Sequence, residues 1–186
     1  MFHFNNEKCF WLLAFGFWLF ISCENDIETV NLISSLDKDP VESGKNVEIT
    51  YSDSAKIKLK LFANQMDKYI GDKQHVELPK GVKIEFYNDS MHITSRLTAN
   101  YAIRYENQKK MEAKRDVVVT NDKGERLNTE HLIWDEEKKT IYTNAPVRVT
   151  TLKEIIFGDG LESNQDFSKY KIKNINGTIN IEDEDK

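Results

Sequence analysis

Apolar and polar residues alternate with a period of two along most of the chain beyond residue 47. At 57–63, Ile57, Leu59, Leu61 and Ala63 are interleaved with Lys58, Lys60 and Phe62, and Lys56 precedes them. At 82–86, Val82, Ile84 and Phe86 alternate with Lys83 and Glu85. The longest run is 93–105. Its odd positions read Ile93, Ser95, Leu97, Ala99, Tyr101, Ile103 and Tyr105, and its even positions are Thr94, Arg96, Thr98, Asn100, Ala102 and Arg104. Successive side chains of a strand point to opposite faces, so this pattern sets one face on a core and the other in water. It predicts strands over these three segments, with further strands near 111–120, 127–134, 140–150, 154–161, 169–175 and 177–182. Turn-forming clusters separate them: Asn88-Asp89, Glu106-Asn107, Asn121-Asp122-Lys123-Gly124, Asp135-Glu136-Glu137, Asn164-Gln165-Asp166 and Asn176-Gly177. The spacing of Phe62, Met66, Tyr69 and Ile70 also fits a short helical turn over 62–70.

The pattern repeats. Residues 97–120 align without gaps on 127–150, with identities at Leu97/Leu127, Ile103/Ile133, Glu106/Glu136, Lys109/Lys139, Val117/Val147, Val119/Val149 and Thr120/Thr150. One strand–turn–strand unit is therefore used at least twice. Such a unit cannot bury its apolar face alone, so stacked copies share a core. The expected architecture is all-β: an antiparallel sheet folded on itself or spiralled around an apolar interior, in preference to a closed barrel.

Composition changes the picture mainly at the N-terminus. Residues 1–22 hold six of the ten Phe and two of the three Trp. The apolar run Cys9–Ile21 is 13 residues long, whereas a membrane-spanning helix needs roughly 20. It follows the polar Asn5-Asn6-Glu7-Lys8 and ends in Leu19-Phe20-Ile21-Ser22-Cys23. That reads as a secretory signal peptide over 1–22 closing on a bacterial lipobox, with cleavage before a lipidated Cys23. Removing the leader also removes Cys9 and leaves no thiol for metal or nucleophilic chemistry. Residues 23–46 are expected to be the lipidated Cys and a polar tether, since 24–46 carries six Asp and Glu against two Lys. The β domain is expected over 47–186. From Cys23 onward the chain has 26 Ile and Val but only 10 Leu and six Ala, a balance that favours strands.

Chemical motifs are sparse. His75, His92 and His131 stand apart, without the spacing of a metal site. There is no nucleophile elbow. Gly158-Asp159-Gly160 leads into Leu161-Glu162-Ser163, not into the start of a helix. Neither enzyme activity, a metal nor a cofactor is expected. A net charge of −5 without basic clusters argues against nucleic acid. A single terminal apolar run excludes a polytopic membrane protein.

Several segments, in order over 56–181, resemble the LptC family. They are Pro79-Lys80-Gly81-Val82-Lys83-Ile84-Glu85-Phe86-Tyr87, Leu97-Thr98-Ala99-Asn100-Tyr101-Ala102, Lys114-Arg115-Asp116-Val117-Val118-Val119-Thr120, Leu127-Asn128-Thr129-Glu130-His131-Leu132-Ile133-Trp134-Asp135 and Gly160-Leu161-Glu162-Ser163-Asn164-Gln165-Asp166-Phe167. The resemblance implies a β-taco or jelly roll that holds lipopolysaccharide acyl chains between two sheets. It also implies edge-to-edge stacking with the periplasmic domains of an inner-membrane ABC transporter on one side and LptA on the other. Many members carry a transmembrane helix, where this chain has a lipobox. The expected place is thus the periplasm, anchored by lipid to the inner membrane, with outer-membrane sorting as the alternative. Expected lining residues are Ile57, Leu59, Leu61, Val82, Ile84, Phe86, Leu97, Ala99, Tyr101, Ile103, Val117, Val119, Ile133, Ile141, Val147 and Val149. Each also fits an ordinary core position. Ile172, Ile175, Ile179 and Ile181 are expected at the edge that meets LptA, ahead of an acidic tail. The competing reading is a structural or adhesive surface lipoprotein with a filled β core.

Overall fold

β-branched side chains pack well on a pleated surface and lose rotamer freedom in a helix. A computed structural model describes residues 39–70 and 74–181, and these contain strands and one 3-10 turn, Glu106–Gln108, but no α-helix. The strands are β1 (Glu42–Asp53), β2 (Lys56–Tyr69), β3 (His75–Leu78), β4 (Val82–Tyr87), β5 (Ile93–Ala99) and β6 (Tyr101–Tyr105). They continue as β7 (Lys110–Asn121), β8 (Arg126–Asp135), β9 (Thr140–Thr150), β10 (Glu154–Asn164), β11 (Tyr170–Ile172) and β12 (Ile175–Asn180). The expected signal peptide, Cys23, most of the tether and the acidic tail lie outside the described residues.

Three details differ from the sequence pattern. The segment 62–70 forms no helical turn, because Phe62, Met66 and Tyr69 lie on β2, which pairs with β1 on one side and with β4 and β3 on the other. Two ladders satisfy backbone groups that a lone helical turn would leave unpaired. The 93–105 run divides at Asn100 into β5 and β6. The first strand starts at Glu42, ahead of Val47.

All pairings are antiparallel, in the order β11-β10-β9-β8-β7-β5-β4-β2-β3-β6, with β1 on β2, β12 on β10 and β6 also on β7. β3 runs on into β4, β5 into β6 and β11 into β12, so the twelve strands make nine courses of a meander. The interruptions line up from course to course. They comprise Asn46 (φ 52°), Gly81 (φ 92°), Asn100, Arg115 and Asp116 (φ 65° and 51°), Gly160 (φ 109°) and Asn174 (φ 46°). The β8–β9 ladder slips between Thr129 and Ile133. Contacts connect these points: Asn64 Nδ2 donates to Lys80 O at 3.0 Å, Asn100 N to Arg115 O at 3.0 Å and Lys173 N to Gly160 O at 2.8 Å. The sheet therefore carries one crease.

Residues from both sides of the crease join a single apolar cluster. Phe86, from one side, meets Trp134, from the other, edge to face at 5.4 Å. The sheet is thus folded over on itself, as a β-taco or jelly roll, with its core between the two halves. The repeat follows this geometry. Lys109 and Lys139, identical and thirty residues apart, both take left-handed backbone (φ 50° and 55°) where their turns close. The Asn- and Asp-rich turns work as their chemistry dictates. Asn88 Oδ1 accepts from the Ser90 and His92 N–H, and Asn121 Oδ1 from the Lys123 and Glu125 N–H.

Candidate functional site

The inner face of the folded sheet is apolar along whole rows. In the half running from the crease toward Asn121, Leu61, Ile84, Leu97, Val119, Leu127 and Val149 are successive cross-strand partners. Every one of them is at most 8% exposed. In the other half, Met111, Trp134 and Ile141 form one row, and Ala102, Ala113 and Leu132 another. Alanine sits where the halves converge. Ala63, Ala99, Ala102 and Ala113, all buried, flank the crease, where only a short side chain fits between converging layers.

The expected lining residues divide. Leu61, Val82, Ile84, Phe86, Leu97, Ala99, Val117, Val119, Ile141, Val147 and Val149 lie in the apolar cluster, with Leu59 packed against it. Ile57 is half-buried near the rim. Tyr101, Ile103 and Ile133 stand on the opposite, outer face. Ile103 pairs across with Glu77 and Glu112, and Ile133 with Glu112 and Tyr142. Tyr101 lies beneath the Arg115 guanidinium, 5.0 Å from ring centre. Its hydroxyl is pushed up to about 12, mostly by burial, with the Glu77 charge and hydrogen bond adding to it. The reason for the reversal is a slip at the crease. Buried positions are odd through Leu97 and Ala99; beyond Asn100, Ala102 is fully buried within the apolar cluster, while Ile103, 8% exposed, lies outside that cluster. They are odd at Leu127 and Thr129, then even at Leu132 and Trp134. A slip of one residue exchanges the faces of everything beyond it. Ala102, Leu132 and Trp134 therefore occupy the inner positions that an unbroken alternation gives to their neighbours. The alignment of 97–120 on 127–150 carries a signal for this, since Ala102 and Leu132 are matched in it.

Outside the crease the face is charged. Glu85 is paired with Lys83 and Arg96, each at 3.3 Å, and accepts from the Tyr87 hydroxyl at 3.0 Å. Burial raises its carboxyl, but these three hydrogen bonds together hold it below the ordinary range. Among the described residues, no group of three or more His, Cys, Asp or Glu could hold a metal ion.

A strap crosses the mouth of the fold. Residues 165–169 connect β10 to β11 and reach over to the opposite rim. Asn121 Nδ2 donates to Phe167 O at 3.1 Å, and Ser95 Oγ makes a long contact of 3.5 Å to Gln165 O. Phe167 is fully buried with φ 54° and stacks on Tyr170 at 4.7 Å. Burial raises the Tyr170 hydroxyl, as do the charge of Glu125 across the mouth and a hydrogen bond to it. Sequence reasoning gave Phe167 no structural role; it directly follows the turn-forming Asn164-Gln165-Asp166 and closes the last of the segments that carry the resemblance.

Among the described residues, no further strand pairs on either end of the meander. β1 pairs only with β2, and its Ile49 and Tyr51, on the inner rows beside Leu61 and Leu59, are 43% and 56% exposed. β12 pairs only with β10. Of the expected edge residues, Ile172 packs against the core, whereas Ile175, Ile179 and Ile181 are exposed. Comparison with curated proteins finds no match. The family described as "Lipopolysaccharide-assembly, LptC-related" matches residues 11–180. The match spans nearly the whole chain, including every strand of the creased sheet. The chain therefore belongs to the LptC family, a periplasmic, inner-membrane-associated transport component and not an enzyme family, and takes part in lipopolysaccharide transport.

Proposed function

We propose that the space between the halves is a trough for the acyl chains of lipopolysaccharide, which the chain passes from the inner-membrane ABC transporter to an LptA-like partner. The observation that carries this is the unbroken apolar row from Leu61 to Val149, running across the strands between two free sheet edges. Each methylene taken from water contributes about 0.8 kcal/mol, so an apolar trough can hold several acyl chains without directional chemistry. Free edges accept a neighbouring strand by main-chain pairing. The β1 edge meets the transporter's periplasmic domains, and the β11–β12 edge, with its exposed isoleucines, meets the LptA-like protein. The halves are packed together through Phe86 and Trp134; acyl chains enter by parting them. A lipidated Cys23 anchors the chain to the inner membrane through the polar segment that follows it.

Photo-crosslinking in living cells tests this. A crosslinker at Ile84 or Leu132 gives lipopolysaccharide adducts, and one at Lys83 or Ile133, on the outer face, gives none. No adduct at any inner position refutes the trough. Cys23→Ala releases the chain from the membrane and removes the lipid mass; unchanged membrane association and mass refute the anchor.

A further inference from the structure

The inner face holds a few buried polar side chains, and most have a local task. Thr129 Oγ1 donates to Pro146 O at 2.9 Å, Ser163 Oγ to Lys169 O at 2.9 Å and Asn121 Nδ2 to Phe167 O at 3.1 Å, while Thr143 Oγ1 accepts from Ala145 N at 3.0 Å. These bonds tie strand to strand or hold the strap. Trp134 is different. Its Nε1 is the one buried side-chain nitrogen or oxygen among the described residues without a hydrogen-bond partner. Trp134 is 9% exposed, its cross-strand neighbours Met111 and Ile141 offer no strong acceptor, and its ring is set edge to face against Phe86. A buried donor without a partner is a cost that a well-packed core ordinarily avoids. Phe at this position would keep an aromatic ring without that donor.

We infer that the Trp134 indole N–H is a polar anchor for the lipid, donating to the amide or ester carbonyl that joins an acyl chain to its headgroup. This rests on the trough reading above and deepens it. An apolar groove alone grips hydrocarbon but does not fix where along the chain it is gripped. A single donor at the contact between the halves sets that register, because the carbonyl marks the boundary between tail and headgroup. With the halves packed together the donor is unsatisfied; when they part around a lipid, it gains its partner.

The test replaces the indole by its sulfur isostere, 3-benzothienylalanine, in the full chain, with Trp134→Phe as a second variant. The isostere keeps shape and volume and removes only the donor. Without lipid, its melting temperature is unchanged or raised. Titrated with purified lipopolysaccharide, it binds about tenfold more weakly than the natural chain, the loss expected for one buried hydrogen bond. Binding of diphenylhexatriene, a hydrocarbon probe without a carbonyl, is unchanged. A parallel titration with a diacyl phospholipid identifies the source of the carbonyl by which lipid shows the larger loss. A purely structural role lowers stability and weakens both classes of probe together. The inference is overturned if the isostere melts several degrees lower without lipid, since the N–H is then already paired. It is also overturned if lipopolysaccharide binds natural chain and isostere equally. If the natural chain binds no acyl lipid at all, the trough reading falls and the anchor with it.

Discussion

The slip at the crease makes adjacent residues opposites. Leu132 is fully buried on the inner face, whereas Ile133, one residue on, is only partly buried on the outer face between Glu112 and Tyr142. Truncating a buried Leu to Ala removes its transfer free energy and leaves a cavity, together about 2–5 kcal/mol. Leu132→Ala falls near the middle of that range, about 3 kcal/mol, because its neighbours lie in paired strands that relax little. Ile133→Ala gives up a partly buried side chain and some β preference, about 1 kcal/mol. In a chain of this length each kcal/mol moves the melting temperature by roughly 2–4 °C. Leu132→Ala should therefore melt about 6–12 °C lower and Ile133→Ala about 2–4 °C lower. Urea titration of the two variants gives the same comparison at 25 °C, and near-equal slopes license the subtraction. If Ile133→Ala costs as much as Leu132→Ala, or more, the slip is wrong, and with it the assignment of the inner face beyond Asn100 and Glu130.

Other consequences can be checked as directly. Gly160 has φ 109°, and a Cβ there would lie 2.9 Å from Thr143 O, so Gly160→Ala should cost about 1–3 kcal/mol in denaturant titration. The Glu85 carboxyl lies below its ordinary 4.5 in the folded chain. Its contribution is therefore complete above about pH 4.5 and lost as pH falls through the lower folded value. A profile of melting temperature against pH should be flatter below that point in Glu85→Gln; a profile parallel to the natural one counts against the pairing. Phe167→Ala should destabilise by about 3–5 kcal/mol despite its place in a loop. Asn121→Ala should raise hydrogen exchange at 165–169 before it affects the distant β1–β2 pair; uniform exchange across both would show that the strap is no separate element.

How far the molecule could be read from its sequence depends on what the chain imprints locally. Strand period is written in every pair of neighbours, and the turns carry Asn and Asp in roles their side chains perform themselves. Both were therefore legible at 82–86 and 140–150, whereas at 127–134 the strand was legible but not its faces. The helical spacing of Phe62, Met66 and Tyr69 was genuine as a pattern, but pairing on both edges of β2 overrode it. The crease was hidden for a different reason. Asn100 and Glu130 are ordinary polar residues, and a slip of one residue leaves no compositional mark. Tyr101, Ile103 and Ile133 continued the apolar pattern and drew attention from Ala102 and Leu132. The weak clue was that only six alanines follow Cys23 in a β-rich chain, and four of them flank the crease. Phe167 was hidden because its burial depends on a strap held by Ser95, seventy residues before Gln165, and by Asn121, forty-six residues before Phe167.

Crease, repeat and free ends belong to one argument. If each course bends at the same level, every inner row runs straight across the strands, and the sheet looks much the same from one course to the next. Regularity of that kind needs no closure; among the described residues its last courses are β1 and β11–β12. The end courses then expose what interior courses bury: Ile49 and Tyr51 on β1, and on β12 Ile175, which lies in the row of Gly158, Val147 and Thr129. A monomer meant to remain alone would blunt such edges with charge, proline or a covering element. Here β1 presents twelve residues with a free edge, and its inner row continues Leu61 and Leu59 outward to Ile49 and Tyr51. A neighbour with its own crease at the same level extends the apolar row without a break, whereas a flat partner strand would meet β1 along only one of its two arms. The same crease that builds the trough thus also selects what can lengthen it.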